Sequence, residues 1–144
     1  MSEPAHDYQA DILRTYENWA VYLHPRQTYL GRSYVALARG GDVDPFTETT
    51  AEEQSELLVV VSGLKTALHT LYQPDRLNYA NLRNVWLHCH WHVIPRYESA
   101  RTVLGHVFED QNWGGDYAPD PGTELPSEVY EQVKTDLATE LNAR

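Results

Sequence analysis

The sequence predicts an α+β domain with a mainly antiparallel sheet. Two stretches with strand character stand on each side of one long amphipathic segment, and a second helical segment closes the chain. The order strand, strand, helix, strand, strand, helix is typical of an α+β domain. The length of 144 residues fits one domain over residues 1–144, with room for a hydrophobic core.

The first part of the chain predicts a short helix and two strands. The helix is expected from about Tyr8 to Tyr16. The aromatic, alternating run from Asn18 to His24 and the run from Ser33 to Arg39 both have strand character. Turn-forming residues such as Pro25 and Gly31 separate the two runs, so we expect an antiparallel, hairpin-like pair.

The next segment predicts a long helix with a defined start. Thr50 and Glu53 have the spacing of a capping box, in which each side chain accepts from the other residue's backbone N–H. Apolar residues then recur at three- and four-residue steps, which places them on one helix face. Pro74 ends the helix. The residues of this face are Leu57, Val60, Val61, Leu64, Leu68 and Leu71.

The last part of the chain predicts two more strands and a closing helix. The strands run from Arg76 to Leu82 and from Leu87 to Arg96. Residues Glu98 to Ser127 are rich in Gly, Pro and Asp and are expected to be irregular, and a segment of this length is often functional. The closing helix is expected from Glu128 to Leu141, with Ser127 as its N-cap.

Composition excludes several classes of function. The net charge of −10 disfavours non-specific binding to nucleic acid, because phosphates repel an acidic protein. No apolar run is long enough to span a membrane, and the first residues lack the pattern of a secretory signal, so a cytoplasmic location is expected. Cys89 is the single cysteine, which excludes an intrachain disulfide and a Cys-based zinc site.

The run from His88 to His92 is the strongest candidate for chemistry. On a strand, His88, His90 and His92 share one face at steps of about 6.5–7 Å, while Cys89 and Trp91 point the other way, toward a core. Imidazole titrates near neutral pH, so one ring can be an uncharged nucleophile while a neighbour donates a proton. The pattern therefore predicts histidine-mediated catalysis.

A metal site is the alternative that the same spacing leaves open. Two histidines in a His-x-His pattern can bind zinc together with a third ligand from elsewhere. The nearest following residues, Val93, Ile94 and Pro95, include no further ligand. The lack of a nearby ligand argues against a metal site, but the spacing of the histidines does not decide between the two interpretations.

The residues from His88 to Ile94 resemble the signature of the histidine triad family. The continuation Pro95-Arg96-Tyr97 is similar to that of bacterial members. The resemblance also includes the segments from Gln27 to Arg32 and from Leu77 to Leu82, together with Asn84. It covers about residues 19–96 well, and within the C-terminal extension at about residues 98–144 it covers the acidic segment from about Phe108 to Pro119 more loosely.

The resemblance implies a fold and an activity. It implies a sheet of about five strands with the long helix and the C-terminal helix packed on it, and a homodimer that binds a small-molecule nucleotide and needs no metal or other cofactor. The expected reaction is cleavage at the α-phosphate of dinucleoside polyphosphates or nucleoside phosphoramidates through a covalent nucleotidyl-histidine intermediate.

The resemblance also assigns roles to individual residues. The nucleophile would be His90, while His92 would contact the phosphate and help to protonate the leaving group. His88 would support the nucleophile by hydrogen bonding. The expected substrate-binding residues are Asn84, Asn78 and Gln27. His92 also favours hydrolysis over transfer to a sugar phosphate, because the uridylyltransferase branch carries glutamine at that position.

Three positions depart from the family's pattern. Relatives usually carry glycine in place of Arg83 and often proline in place of Leu87, and many carry histidine in place of Gly40. These departures put turnover and substrate preference in doubt. Two alternatives to the hydrolase therefore remain: a catalytically weak, nucleotide-binding regulatory module, and a metal-dependent hydrolase that uses the same histidines.

Overall fold

A five-stranded antiparallel sheet forms the centre of the computed structural model, which describes residues 8–117 and 124–143. A short 3-10 helix, Tyr8–Asp11, leads into the first strand. The strand order is β1-β2-β3-β5-β4, so the segment after the long helix returns to pair beside β3. The strands are β1 (Ile12–Thr15), β2 (Trp19–Leu23), β3 (Ser33–Leu37), β4 (Arg76–Ala80) and β5 (His90–Arg96).

The predicted α+β class and antiparallel sheet are confirmed, but the first element differs from its prediction. The helix expected from Tyr8 to Tyr16 is only one 3-10 turn, and Ile12–Thr15 is a strand. Thr15 pairs with Ala20 of β2, and Tyr16 closes the turn through its N–H to the carbonyl of Trp19. Pairing with β2 outweighs the local preference of this short segment, because isolated single turns of helix have little stability.

The two faces of the sheet have different surroundings. Cross-strand partners share a face, so Val21, Val35 and Trp91 lie on one side and Tyr34 and His92 on the other. The first side carries the core, in which two helices cover the sheet. The second side carries the histidines. Buried core residues on the helices include Val60, Leu64, Leu68, Val129, Val133, Leu137 and Leu141.

The long helix α1 spans Ala51–Tyr72, as its sequence pattern predicts. The capping box is confirmed: Glu53 donates its backbone N–H to Thr50 Oγ1 at 3.1 Å, and Thr50 donates its own to Glu53 Oε1 at 2.8 Å. Of the predicted apolar face, Val60, Leu64 and Leu68 are buried, while Leu57, Val61 and Leu71 are half-buried. The C-cap residue is Gln73, which is left-handed with φ of 47°, and Pro74 follows.

The closing helix α2 spans Ser127–Asn142, but Ser127 is not its cap. The cap residue is Pro126, which forms no side-chain hydrogen bond to the helix. In the segment expected to be irregular, β6 (Arg101–Val103) pairs with β7 (His106–Phe108). Leu104 and Gly105 join them with φ of 48° and 80°, as in a type I′ hairpin turn. No helix among the described residues is long and apolar enough to cross a membrane.

Candidate functional site

Strand β5 brings two of the three histidines together. His90 and His92 lie two residues apart on the same face, and their ring centroids are 4.8 Å apart. The strand was predicted to begin at Leu87 but begins at His90, so His88 precedes it. The backbone of Cys89 is held by other partners at this point, with its N–H bonded to the carbonyl of Gly41 and its carbonyl to the N–H of Leu37.

The imidazole of His88 does not join the other two rings. Its Nε2 lies 2.7 Å from the carbonyl oxygen of Leu37, which fixes the ring at the end of β3. The contact between His88 and His90 is made by the backbone instead, because His90 Nδ1 lies 2.6 Å from the His88 carbonyl. Support of the nucleophile by His88 through hydrogen bonding stays a prediction, and the group in position to provide it is the backbone carbonyl of His88.

Hydrogen-bond chemistry determines the tautomers of the pair. A carbonyl only accepts, so His90 carries its proton on Nδ1 and keeps a lone pair on Nε2. His90 Nε2 lies 3.2 Å from His92 Nε2, which must then be the donor of that bond. Beyond His92, Arg32 Nη2 lies 3.5 Å from His92 Nδ1, and a guanidinium only donates. All contacts are therefore satisfied by one arrangement of protons, which leaves His90 Nε2 as a potential nucleophile.

Both rings favour the neutral state. Burial, together with the positive charges of Arg32 and His90, lowers the pKa of His92 to about 3. Burial also lowers the pKa of His90; the hydrogen bond to the His88 carbonyl opposes that shift, and the charge of His88 adds to it. The pair is thus uncharged at neutral pH, which is the state that a nitrogen nucleophile requires.

A cavity of about 480 Å³ opens in front of this pair. Its volume is in the range of pockets that hold small molecules. His90 and His92 form its polar floor, and the walls are largely aromatic and apolar. The wall residues are Tyr8, His24, Pro25, Arg26, Tyr34, Leu82, Arg83, Asn84, Val85 and Trp86.

The ring of Trp86 packs against the imidazoles of His88 and His90. Its ring centroid is 4.4 Å from that of His90 and 4.9 Å from that of His88, with which it stacks at 24°. Tyr8 stacks on Trp86 in turn, at 5.9 Å and 4°. Trp86 is 41% exposed, so it covers His90 while facing the solvent. Trp86 lies between the two predicted strands and outside both; an exposed tryptophan two residues before a histidine run is the signal that could have marked it.

The three amides predicted to bind substrate lie in different places. Asn84 lines the cavity beside the histidines. Asn78 accepts a hydrogen bond from Arg96 Nη1 at 2.8 Å and lines a different, second cavity of about 450 Å³. Gln27 is fully buried. Of the three amides, Asn84 alone lines the cavity in front of the histidines, and Asn78 lies away from them.

Gln27 instead fixes the loop that carries Arg32. Its Nε2 donates to the carbonyls of His24 and Arg32, each at 2.8 Å, and its Oε1 accepts from the N–H of Gly31 at 2.8 Å. Because both amide atoms bind backbone groups, the side chain acts as an internal brace.

Two of the three departures from the family's pattern lie where the backbone is left-handed. Arg83 has φ of 50°, a left-handed conformation in which glycine is unstrained, and its guanidinium binds Asp42 at 2.8 Å. Gly40 has φ of 72°, and a Cβ there would lie 3.3 Å from His88 Cε1. The left-handed φ at Arg83 explains why glycine suits the position; nothing in the structure explains Leu87, which is exposed.

The three imidazoles do not converge on a point that could hold a metal. His88 is bound to the Leu37 carbonyl, and the third imidazole near the pair is that of His24, whose ring centroid lies 5.9 Å from that of His92. In residues 8–117 and 124–143, no group of three or more His, Cys, Asp and Glu side chains has the geometry of a metal site.

Solved structures of histidine triad proteins have the same fold as this chain. A histidine triad protein from Marinobacter aquaeolei matches with a TM-score of 0.75 and 24% identity, covering 94% of this chain and 93% of that one. One from Bradyrhizobium japonicum matches with a TM-score of 0.71 and 16% identity, covering 92% of each chain. A hypothetical histidine triad nucleotide-binding protein from Sulfolobus tokodaii matches with a TM-score of 0.68 and 19% identity, covering 92% of this chain and 84% of that one.

These likenesses establish the fold. No protein-family model and no curated protein matches the chain. The chain therefore has the histidine triad fold over more than nine-tenths of its length, and the fold expected from the sequence resemblance is confirmed.

Proposed function

We propose that this protein is a nucleotide hydrolase that cleaves at the α-phosphate of a nucleoside 5′-phosphate derivative through a nucleotidyl-histidine intermediate. The observation that supports this most directly is the arrangement of protons in the histidine pair. With its proton held on Nδ1 by the His88 carbonyl, His90 turns the lone pair of Nε2 toward His92 and the cavity.

The proposed reaction has two displacements. In the first, the His90 Nε2 lone pair forms a bond to the α-phosphorus as the bond to the leaving group breaks. In the second, a water oxygen attacks the same phosphorus, the P–N bond breaks and its electron pair returns to Nε2, and the water proton passes to the solvent. Covalent catalysis of this kind divides one difficult step into two easier ones.

The remaining residues of the cavity have roles that follow from their chemistry. His92 Nε2–H is placed to donate to a phosphate oxygen that takes the position beside His90. Asn84 and Arg26 supply further donors at the cavity wall. The aromatic and apolar walls suit a nucleobase, which offers large stacking surfaces.

Intact-protein mass spectrometry tests this proposal. Each protein is mixed with adenosine 5′-(4-nitrophenyl phosphate) and quenched without acid, because P–N bonds are acid-labile. We expect a nucleotidyl adduct in His92→Ala and none in His90→Ala, with kcat/KM of the His90 variant lowered by at least about 10⁴-fold. His69→Ala is the matched control, because His69 is exposed on α1 and outside the cavity. Full turnover by His90→Ala would refute the mechanism; nucleotide binding without turnover in the unsubstituted protein would favour a binding module.

We also propose that the protein forms a homodimer. β4 forms one edge of the sheet and pairs only with β5 among the described strands, so its outer backbone groups are available to a second copy. Tyr79 on this strand is 47% exposed. We expect sedimentation to give twice the chain mass of 16.5 kDa and Tyr79→Lys to reduce it to that mass. A monomer at all concentrations would contradict the dimer and leave the proposed chemistry untouched.

A further inference from the structure

Arg32 contacts His92 from the side opposite His90. The residue is 7% exposed and lies in the loop between β2 and β3. Its Nη2 is 3.5 Å from His92 Nδ1, and its backbone carbonyl accepts from Gln27 Nε2 at 2.8 Å and from the N–H of His24 at 2.9 Å. The guanidinium is thus held at the back of the ring by a braced loop.

This contact restricts the protonation of His92. A guanidinium has five N–H donors, no acceptor and a permanent charge. His92 Nδ1 can accept from it, which leaves the ring's single proton on Nε2, facing His90. If His92 Nδ1 were protonated, its N–H and the Arg32 N–H would face each other without an acceptor. Two positive charges, the imidazolium and the guanidinium, would then lie side by side.

The other ionisable side chains that face His92 in the described chain bring no negative charge to its ring. They are His90 on the same strand, His24 at the end of β2 with its ring centroid 5.9 Å away, and Tyr34, the cross-strand neighbour on β3. Burial raises the pKa of Tyr34, so it stays neutral. Each of these groups is neutral or cationic at pH 7, and none stabilises an imidazolium.

We propose that His92 is a neutral hydrogen-bond donor to the transferring phosphate and not a general acid, and that the site therefore prefers nucleoside 5′-phosphoanhydrides to nucleoside phosphoramidates. Arg32 is in this view a positioning residue that acts through His92. The inference rests on the proposed nucleotidyl-histidine mechanism and selects between the two substrate classes that the mechanism allows.

The preference follows from the fate of the electron pair on the leaving group. As His90 Nε2 bonds to the α-phosphorus of an anhydride, the P–O bond breaks and its pair stays on a phosphate oxygen, a stable anion that needs no proton. In a phosphoramidate the P–N bond breaks, and its pair must be captured by a proton because an amide anion is too basic to leave. A neutral His92 could give that proton only by becoming an imidazolate, so this site does not supply it.

The dependence of rate on the leaving group tests the inference in the unsubstituted protein. The substrates are aryl esters of adenosine 5′-monophosphate whose phenols have graded acidity, from nitrophenol to phenol, together with diadenosine tetraphosphate and adenosine 5′-phosphoramidate. General acid catalysis is worth about 10²–10⁴-fold. We therefore expect kcat/KM to fall by about 10²-fold or more from the nitrophenyl to the phenyl ester, and the phosphoramidate to be slower than the tetraphosphate by a similar factor.

Substitution of Arg32 provides the second measurement. In Arg32→Gln the new side chain offers an acceptor to a protonated Nδ1 of His92, so the His92 ring can ionise below pH 6. We therefore expect the difference in kcat/KM between the nitrophenyl and phenyl esters to narrow in that pH range. The ¹⁵N shifts of His92 should show an unprotonated Nδ1 in the parent protein and partial protonation in the variant. Arg101→Gln is the matched control, because Arg101 binds the Tyr72 carbonyl outside the cavity.

The possible failures are distinguishable. Equal rates across the ester series, or a phosphoramidate turned over as fast as the tetraphosphate, would overturn the neutral-donor inference while leaving the His90 adduct and the hydrolase intact. The absence of turnover and adduct with every substrate would overturn the proposed function and this inference with it. If Arg32→Gln does not fold, the ester series and the His92 ¹⁵N shifts of the parent protein still test whether His92 is a neutral donor.

Discussion

The buried ion pair between Arg96 and Asp110 is the interaction whose loss we expect to destabilise the fold most. Asp110 accepts from Arg96 Nε and Nη2 at 2.7 and 2.9 Å, and from the N–H of Asn112 at 3.0 Å. The Arg96 and Asp110 side chains are 3% and 0% exposed. In Asp110→Asn, an amide with its own N–H donors replaces the carboxylate, so a buried guanidinium loses the negative charge that pairs with it. Breaking such a pair costs about 3–5 kcal/mol.

Urea denaturation measures this loss in the free energy of unfolding, which totals about 5–15 kcal/mol for a typical domain. The matched control is Asp42→Asn, which breaks the ion pair with Arg83 at 2.8 Å. Asp42 is 55% exposed, and exposed pairs contribute less than about 1 kcal/mol. Similar losses in both variants would refute the reasoning that burial sets the magnitude.

The same pair predicts a dependence on pH. Burial raises the pKa of Asp110, but hydrogen bonds and charge from Arg96 outweigh burial and leave the pKa below its ordinary value. A carboxyl group with a lowered native pKa stabilises the fold above its unfolded value of about 4, and this contribution is lost as the pH falls through the native value. The difference between the parent protein and Asp110→Asn should therefore be complete at pH 7 and shrink below about pH 4.

Two further predictions concern the surroundings of the histidines. In Trp86→Ala, water reaches His90, whose pKa is lowered mainly by burial, so an NMR titration should show that pKa rising toward its ordinary value; an unchanged value would mean that Trp86 does not shield the ring. Gly40→Ala should cost about 1–2 kcal/mol of backbone strain and also displace the His88 ring, because the new Cβ lies 3.3 Å from it. Gly114→Ala has the same left-handed strain without a neighbour within 4 Å, so equal losses in urea denaturation would argue against the contact with His88.

Elements with strong local signals were predictable from the sequence. The capping box at Thr50 and Glu53 and the periodic apolar face define α1 without tertiary information, and alternation defines β2 and β3. The first strand was not predictable, because Ile12–Thr15 has no alternating pattern and is a strand through its pairing with β2. The β6–β7 hairpin was missed because its strands have three residues each.

Alternation along the chain predicted only part of the candidate site. It correctly placed His90 and His92 on one face, since both lie within a regular strand. It failed for His88, because the strand begins two residues later and the ring is bound to β3. The contact between Arg32 and His92 joins residues 60 positions apart, and no local pattern encodes a pairing at that separation.

The chemistry of the site therefore depends on a loop as much as on the histidine run. Arg96 holds the segment before Tyr117 by donating to the carbonyls of Asn112 and Gly115 at 3.0 and 2.9 Å. The Tyr117 ring lies 5.5 Å from the Arg32 guanidinium, which in turn contacts His92. The alternating histidines supply the nucleophile His90 and its neighbour His92. The Arg32 guanidinium behind His92 decides whether His92 can give up a proton. Two chains with the same histidine run can thus differ in the leaving groups they accept, and the residue at position 32 is where we expect that difference to arise.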